Sequence, residues 1–402
     1  MLIGVVGKPS VGKSTFFKAA TLAEVAIAPY PFTTIKPNEG VGFVRIEDAA
    51  SFFGKVSNPR DGFVLGTNRF VPVQMLDVAG LVPGAHEGAG MGNQFLDDLR
   101  QADVLIHIID IAGATNEKGE CVSPGSYDPE KDLLFLEEEL DYWYLRIMKK
   151  GWERFARQVQ QERGSIVKEL AKQLSALKVS VVMVEDVLKK LNLNLEQPIS
   201  WADADLFGLA REFRKLTKPM IIACNKIDLP YGLENYDRLK QKYPHLMIVP
   251  CSAEAELALR EAAKHGLITY VPGERTFSIT SVGGAKLSDK QRHALDYIKT
   301  GILDVYGSGT GVQETINSAV FNLLKYVAIY PGGVNKLEDK FGNVLPDCFL
   351  MPPRTTALDF AFRLHTDFGN NFIRAIDVKT KRTVGKEHIL NNGDVLEIVS
   401  GK

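Results

Sequence analysis

Five short runs in this 402-residue chain are apolar almost without interruption: LIGVV at 2–6, VQMLDVA at 73–79, VLIHIID at 104–110, MIIACNKIDL at 220–229 and LMIVPCSA at 246–253. A strand wetted on one face alternates polar and apolar residues. These runs do not, so they read as strands covered on both faces. Helical patterns lie between them. That order demands a doubly wound, mostly parallel sheet with helices on either side, an α/β fold.

The first run leads into GKPSVGKS at 7–14, which is G-x-x-x-x-G-K-S, and the helical stretch KSTFFKAATL follows. Strand, glycine-rich turn, helix is the context in which backbone N–H groups cradle phosphate. Gly7, Lys8, Pro9, Ser10, Val11, Gly12 and Thr15 would form the wall of that cradle. Lys13 would reach the β- and γ-phosphates, and the Ser14 hydroxyl would face Mg2+. Asp77 closes the second run and precedes Gly80 in a D-x-x-G pattern. Alone that pattern is a strand-end turn; after a phosphate loop it reads as a second metal-side group, with the Gly80 N–H aimed at the γ-phosphate. NKID at 225–228 closes the fourth run. Asp228 would accept from the N1–H and the amino group of guanine, a pair that adenine lacks. Asn225 would brace the loop and the Lys226 stem would lie over the base. Ser252 and Ala253 then belong to a last loop whose Ala253 N–H would meet the base oxygen. These four elements in order predict a P-loop GTPase domain that binds GTP or GDP with Mg2+.

The organisation expected is a nucleotide domain over 1–120 and 206–284, an inserted helical or coiled-coil hairpin over 121–205, a helical extension over 285–326 and a small β-rich domain over 327–402. In the insert, Leu133, Leu136, Leu140, Tyr144 and Ile147 recur at helical spacing. That stripe reads first as the insert's own packing seam and second as a face for a protein partner. The net charge of −1 excludes a globally basic nucleic-acid binder, though not a local patch. Four scattered cysteines with no CxxC pair indicate neither a zinc site nor a disulfide framework. No leader and no membrane-spanning run is legible, so a cytoplasmic protein is expected.

GKPSVGKST, YPFTTIKPNEG, DVAGLVPGAHEGAGMGNQFL and NKID together resemble the Obg/YchF-like branch of the translation-factor-related GTPases. The last 60 or so residues resemble a TGS domain, the ubiquitin-like β-grasp module of threonyl-tRNA synthetase and the DRG proteins. The likeness is strongest to the archaeal and fungal YchF-like group with a helical insert before NKxD. It implies that PFTTI is switch I and that Thr34, with Thr33 as runner-up, closes on Mg2+. It also implies ribosome association. ATP-preferring relatives lack the NKxD aspartate; Asp228 is present here, which favours GTP. Ser10 stands where potassium-stimulated relatives carry asparagine, which weakens the case for potassium.

The family has a hydrophobic residue in place of a catalytic glutamine, and Leu81 fits. Leucine cannot hydrogen-bond a water. The orienting group must then be His86, a switch I backbone group or a partner's side chain, and slow intrinsic turnover follows. Between Arg363 and Lys386 lie six Lys or Arg and two Asp, a local charge of about +4. With Phe368 and Phe372 nearby, this patch is the candidate RNA contact, against the plainer reading of a solvated face with core phenylalanines. The rival functions are a GTP-dependent adaptor working through the insert and an ATPase.

Overall fold

The protein is described from a computed structural model, which describes residues 1–22, 38–78 and 99–401. Along the chain come β1 (Leu2–Val6), α1 (Lys13–Thr21), β2 (Glu39–Glu47), β3 (Phe63–Leu65), β4 (Asn68–Asp77) and β5 (Val104–Asp110). The helical region follows: α2 (Glu130–Lys149), α3 (Trp152–Gln161), α4 (Ile166–Gln173), α5 (Val181–Lys190) and α6 (Asp203–Thr217). Then come β6 (Met220–Asn225), α7 (Gly232–Lys242), β7 (Ile248–Pro250), α8 (Ala253–Lys264), β8 (Ile268–Tyr270) and β9 (Phe277–Ile279). The chain forms two compact units, Met1–Phe17 with Met75–Ala253, and Lys18–Gln74 with Glu254–Lys402.

In the first unit the strands follow the five apolar runs. β1 pairs parallel with β5, β5 with β6, and β6 with β7. The end of β4 lies on the other side of β1, where the Val78 N–H donates to the Val5 carbonyl at 3.0 Å. The register sets Val6 opposite His107 and Asp110 opposite Asn225. Parallel strands thus finish together, and the loops that leave them share one edge, the usual ligand crevice of such sheets.

The core of this unit runs from the sheet into the helices. Leu136, Leu140, Trp143 and Tyr144 of α2 pack with Leu206, Leu209, Ala210 and Phe213 of α6. Each buried aliphatic or aromatic side chain contributes about 1.5–3 kcal/mol. The expected stripe is a packing seam, with Leu133, Leu136, Leu140 and Tyr144 buried and Ile147 half-buried, but its partner is α6, most of which the expected organisation placed in the nucleotide domain. Arg214 of α6 adds a buried ion pair, donating from Nε to Asp141 at 2.8 Å and from Nη1 to Glu137 at 3.2 Å. The region is not a two-armed hairpin. Gly151, in the left-handed conformation at φ 77°, ends the run of α2, and Ser165 and Ser180 cap two further short helices.

In the second unit, β2 and β3 flank the first part of β4, and β8 pairs antiparallel with β9. The extension holds α9 (Ser281–Lys286), α10 (Asp289–Ile298) and α11 (Val312–Asn317). The chain ends in β10 (Val327–Pro331), β11 (Phe349–Met351), α12 (Ala357–Leu364), α13 (Thr366–Asn370), β12 (Phe372–Asp377), β13 (Arg382–Val384) and β14 (Val395–Ser400). Its five strands form one mixed sheet in the order β11-β10-β14-β12-β13. Phe360 of α12 and Ala375, Leu390 and Leu396 pack in its core. Thr356 and Asp359 close a capping box at the start of α12. No described helix is long and apolar enough to cross a membrane.

Candidate functional site

The loop after β1 is shaped by two glycines. A Cβ at Gly7 would stand 2.5 Å from the Ile108 carbonyl oxygen, and one at Gly12 would stand 2.2 Å from Asn225 Nδ2. Ser10 at φ 63° and Gly12 at φ 91° have positive φ, a backbone conformation from which anion-cradling turns are built. Lys13 and Ser14 open α1 directly after it. A helix N-terminus there adds a partial positive charge.

Asp77, the last residue of β4, is brought to this helix start. Its Oδ2 accepts from Ser14 Oγ at 3.3 Å, and its Oδ1 lies 3.9 Å from Lys13 Nζ. Among the described residues, buried Oδ1 accepts no hydrogen bond. Burial raises the Asp77 pKa, opposed by the Lys13 charge and the Ser14 bond. A buried carboxylate oxygen with spare acceptor capacity beside a hydroxyl is a donor set that suits a hard cation such as Mg2+.

Asn225 ties the site together. Its Nδ2 donates to the Val11 carbonyl at 2.7 Å, and its Oδ1 accepts from the Ala253 N–H at 3.0 Å. One amide thus joins the phosphate loop to the loop after β7. The Ala253 N–H, expected to face a base oxygen, donates to Asn225 here, and Ser252 beside it is buried. Lys226 Nζ donates to Asp110 Oδ2 at 2.8 Å. Asp228 is half-buried on the same loop. Thr34, Gly80, Leu81 and His86 lie outside the described residues.

The Lys8 side chain turns into the protein. Nζ donates to the Thr115 carbonyl at 2.9 Å and meets Asp132 at 2.9 Å from Oδ1 and 2.7 Å from Oδ2. It also lies 3.9 Å above the Tyr127 ring centroid. Lys8 is thus left to the cradle through its main chain alone. Burial lowers the Lys8 pKa and raises that of Asp132, while their mutual attraction opposes both shifts. His107 lies nearby on β5, fully buried, its Nδ1 without a partner among the described residues. Sequence reasoning missed Asp132, Tyr127, Thr115 and Asp110. No short-range pattern marks them, since Lys8 and Asp132 are 124 positions apart.

Three family descriptions match: 50S ribosome-binding GTPase over residues 2–139, the G4 motif-containing domain of Obg-like GTPases of the YGR210-like type over 223–333, and TGS domain over 341–400. A GTP-binding protein of Methanocaldococcus jannaschii is 46% identical over 99% of both chains. One from Schizosaccharomyces pombe is 35% identical over 89% of this chain and 88% of its own. The Ribosome-binding ATPase YchF of Escherichia coli is 27% identical over 98% of both. The crystal structure of a GTP-binding protein from Pyrococcus horikoshii superposes at TM-score 0.78 with 39% identity, covering 100% of both chains.

Proposed function

The chain belongs to the YchF-like family of GTPases, and from that premise we propose that it binds GTP with Mg2+ and hydrolyses it to GDP and phosphate, as a nucleotide-dependent switch that docks on the ribosome or RNA. The observation that carries this reading is the assembly at the strand ends: a glycine-shaped cradle, Lys13 and Ser14 on Asp77, and Asn225 bracing the cradle to the base loop. Ser14, Asp77 and Thr34 would hold Mg2+. When bound, the ion neutralises charge on the β- and γ-phosphate oxygens.

The chain's own residues would do the rest. The main chain of residues 7–15 binds the phosphates and Lys13 places its ammonium against them. Gly80 gives its N–H to the γ-phosphate. Leu81 offers the attacking water no hydrogen bond, so orientation falls to His86, to switch I backbone or to a group from the partner. Asp228 accepts from the guanine edge.

Docking would use the terminal sheet. Arg363, Arg374, Lys381, Arg382 and Lys386 are all exposed, and Phe368 is 42% exposed, whereas Phe372 packs against the core of that sheet. The bacterial relatives are named ribosome-binding, which supports this partner. The helical insert could seat a further protein partner on faces other than the buried seam.

One observation favours an ATPase as the second reading. The Ala253 N–H already donates to Asn225, so a base oxygen would have to share that donor, and the bacterial relatives are named ATPases. Competition binding on the full-length protein decides. GTP should win over ATP by at least about a hundredfold, ~2.8 kcal/mol. Equal or tighter ATP binding would put the ATPase in its place. For the partner, full-length protein should co-sediment with ribosomes in a salt-sensitive manner, and loss of nothing on neutralising Arg374, Lys381 and Arg382 together would refute the patch.

A further inference from the structure

The donors of the Lys8 ammonium are directed inward. They meet the carboxylate of Asp132 in the first turn of α2 and the carbonyl of Thr115, with the Tyr127 ring beneath. The Tyr127 hydroxyl donates to the same Asp132 Oδ1 at 3.0 Å. Lys8 and Asp132 are each only 5% exposed. An apolar side chain would fill this space without the desolvation of two ions, and a buried ion pair seldom stabilises a fold better than apolar packing does. What the pair provides is direction. It fixes the second residue of the phosphate loop to one helix.

The base loop reaches the same place. Lys226 donates to Asp110 Oδ2, and Thr115 Oγ1 donates to that same oxygen at 3.0 Å. Thr115 therefore bonds both ways, through its hydroxyl toward the base loop and through its carbonyl toward the phosphate loop. The connection that carries Thr115 and Tyr127 lies close over the cradle: a Cβ at Gly119 would stand 2.7 Å from Pro9 Cβ. It then enters α2, which Arg214 and the apolar seam hold to α6.

We propose that Lys8 and Asp132 are positioning residues that join the phosphate loop to the helical region, so that nucleotide occupancy is transmitted to the start of α2. This rests on the nucleotide-site reading above. Ligand phosphate orders the loop, the loop carries the Lys8 ammonium, and the ammonium holds the first turn of α2. Asp132→Asn weakens that hold while leaving the amide able to sit in the same space.

Hydrogen exchange on the full-length protein, with and without saturating GTP and Mg2+, tests this. In the wild type, nucleotide should slow exchange in residues 7–15 and also in 128–140, each by at least about threefold. In Asp132→Asn the loop should stay protected while the protection of 128–140 is lost. Lys8→Met, which keeps the stem's volume but alters a residue of the cradle itself, should likewise remove the protection of 128–140. A purely structural pair would lower the melting temperature of both variants and leave the nucleotide-dependent protection of 128–140 in place, which overturns the proposal. Protection of 7–15 without 128–140 in the wild type overturns it as well. If nucleotide protects neither segment in the wild type, the nucleotide-site reading has failed first, and the joint falls with it.

Discussion

Asn225→Ala removes one side chain and strands two backbone groups. Asn225 is 4% exposed, so neither the Val11 carbonyl nor the Ala253 N–H has ready access to water once the amide is gone. The orientation of the amide is set by these partners: a carbonyl needs the donor and an N–H needs the acceptor. Each stranded group costs about 1–3 kcal/mol, so the loss of stability should be about 2–4 kcal/mol after partial relaxation. Part of that reappears in binding. The cradle is held in shape by the Val11 bond, and nucleotide must now order it. A binding loss of about 1.4–2.8 kcal/mol corresponds to roughly ten- to a hundredfold in Kd. Titration with a fluorescent guanine nucleotide, beside thermal unfolding of the free protein, separates the two effects. Unfolding that drops while Kd stays within about twofold of the wild type would mean that the brace supports the fold and not the cradle. No change in either would refute the reasoning outright.

Leu81→Gln should leave turnover within about tenfold of the wild type, since the site is built around a residue that cannot hold the water; a hundredfold gain in a steady-state phosphate-release assay would show the opposite. Arg214→Met leaves Asp141 buried without its Nε partner and should cost about 3–5 kcal/mol, read as a large fall in melting temperature, whereas a fall of only a few degrees would mean that water reaches the pair. His107 sets an acid limb. Burial, with a smaller effect of the Lys8 charge, lowers its pKa from 6.5 to about 3. Above pH 6.5 the ring is neutral in both folded and unfolded chains. Below it the unfolded chain takes a proton that the folded one refuses, so stability falls by about 1.4 kcal/mol per pH unit toward pH 3. His107→Leu should flatten that limb in melting temperatures measured from pH 7 to pH 5. An unchanged slope would assign the acid sensitivity to other groups.

The parts of this chain that could be read from its sequence are those whose cause is local. Continuous apolar runs of strand length read as strands sealed on both faces, and β1, β5 and β6 fall on them. Gly7 and Gly12 stand in the loop because no Cβ fits there, and that constraint was visible as a motif. The helical region was less legible. Its apolar period marks helix without marking breaks, and the left-handed Gly151 divides what reads as one long arm. The brace on Ala253 was not legible either. A donor N–H takes the acceptor that can be delivered to it within the fold, and Asn225 supplies one from 28 positions away. Lys8 and Asp132 follow the same logic at greater range. A buried ammonium must find its counter-charge wherever the fold supplies one, and for Lys8 that is the first turn of α2. In both cases a group in a nucleotide motif also has a partner in the scaffold that shapes the site. The position of Lys226 in its loop is thus tied to Asp110, and that of Asp110 to Thr115, residues that no nucleotide motif contains.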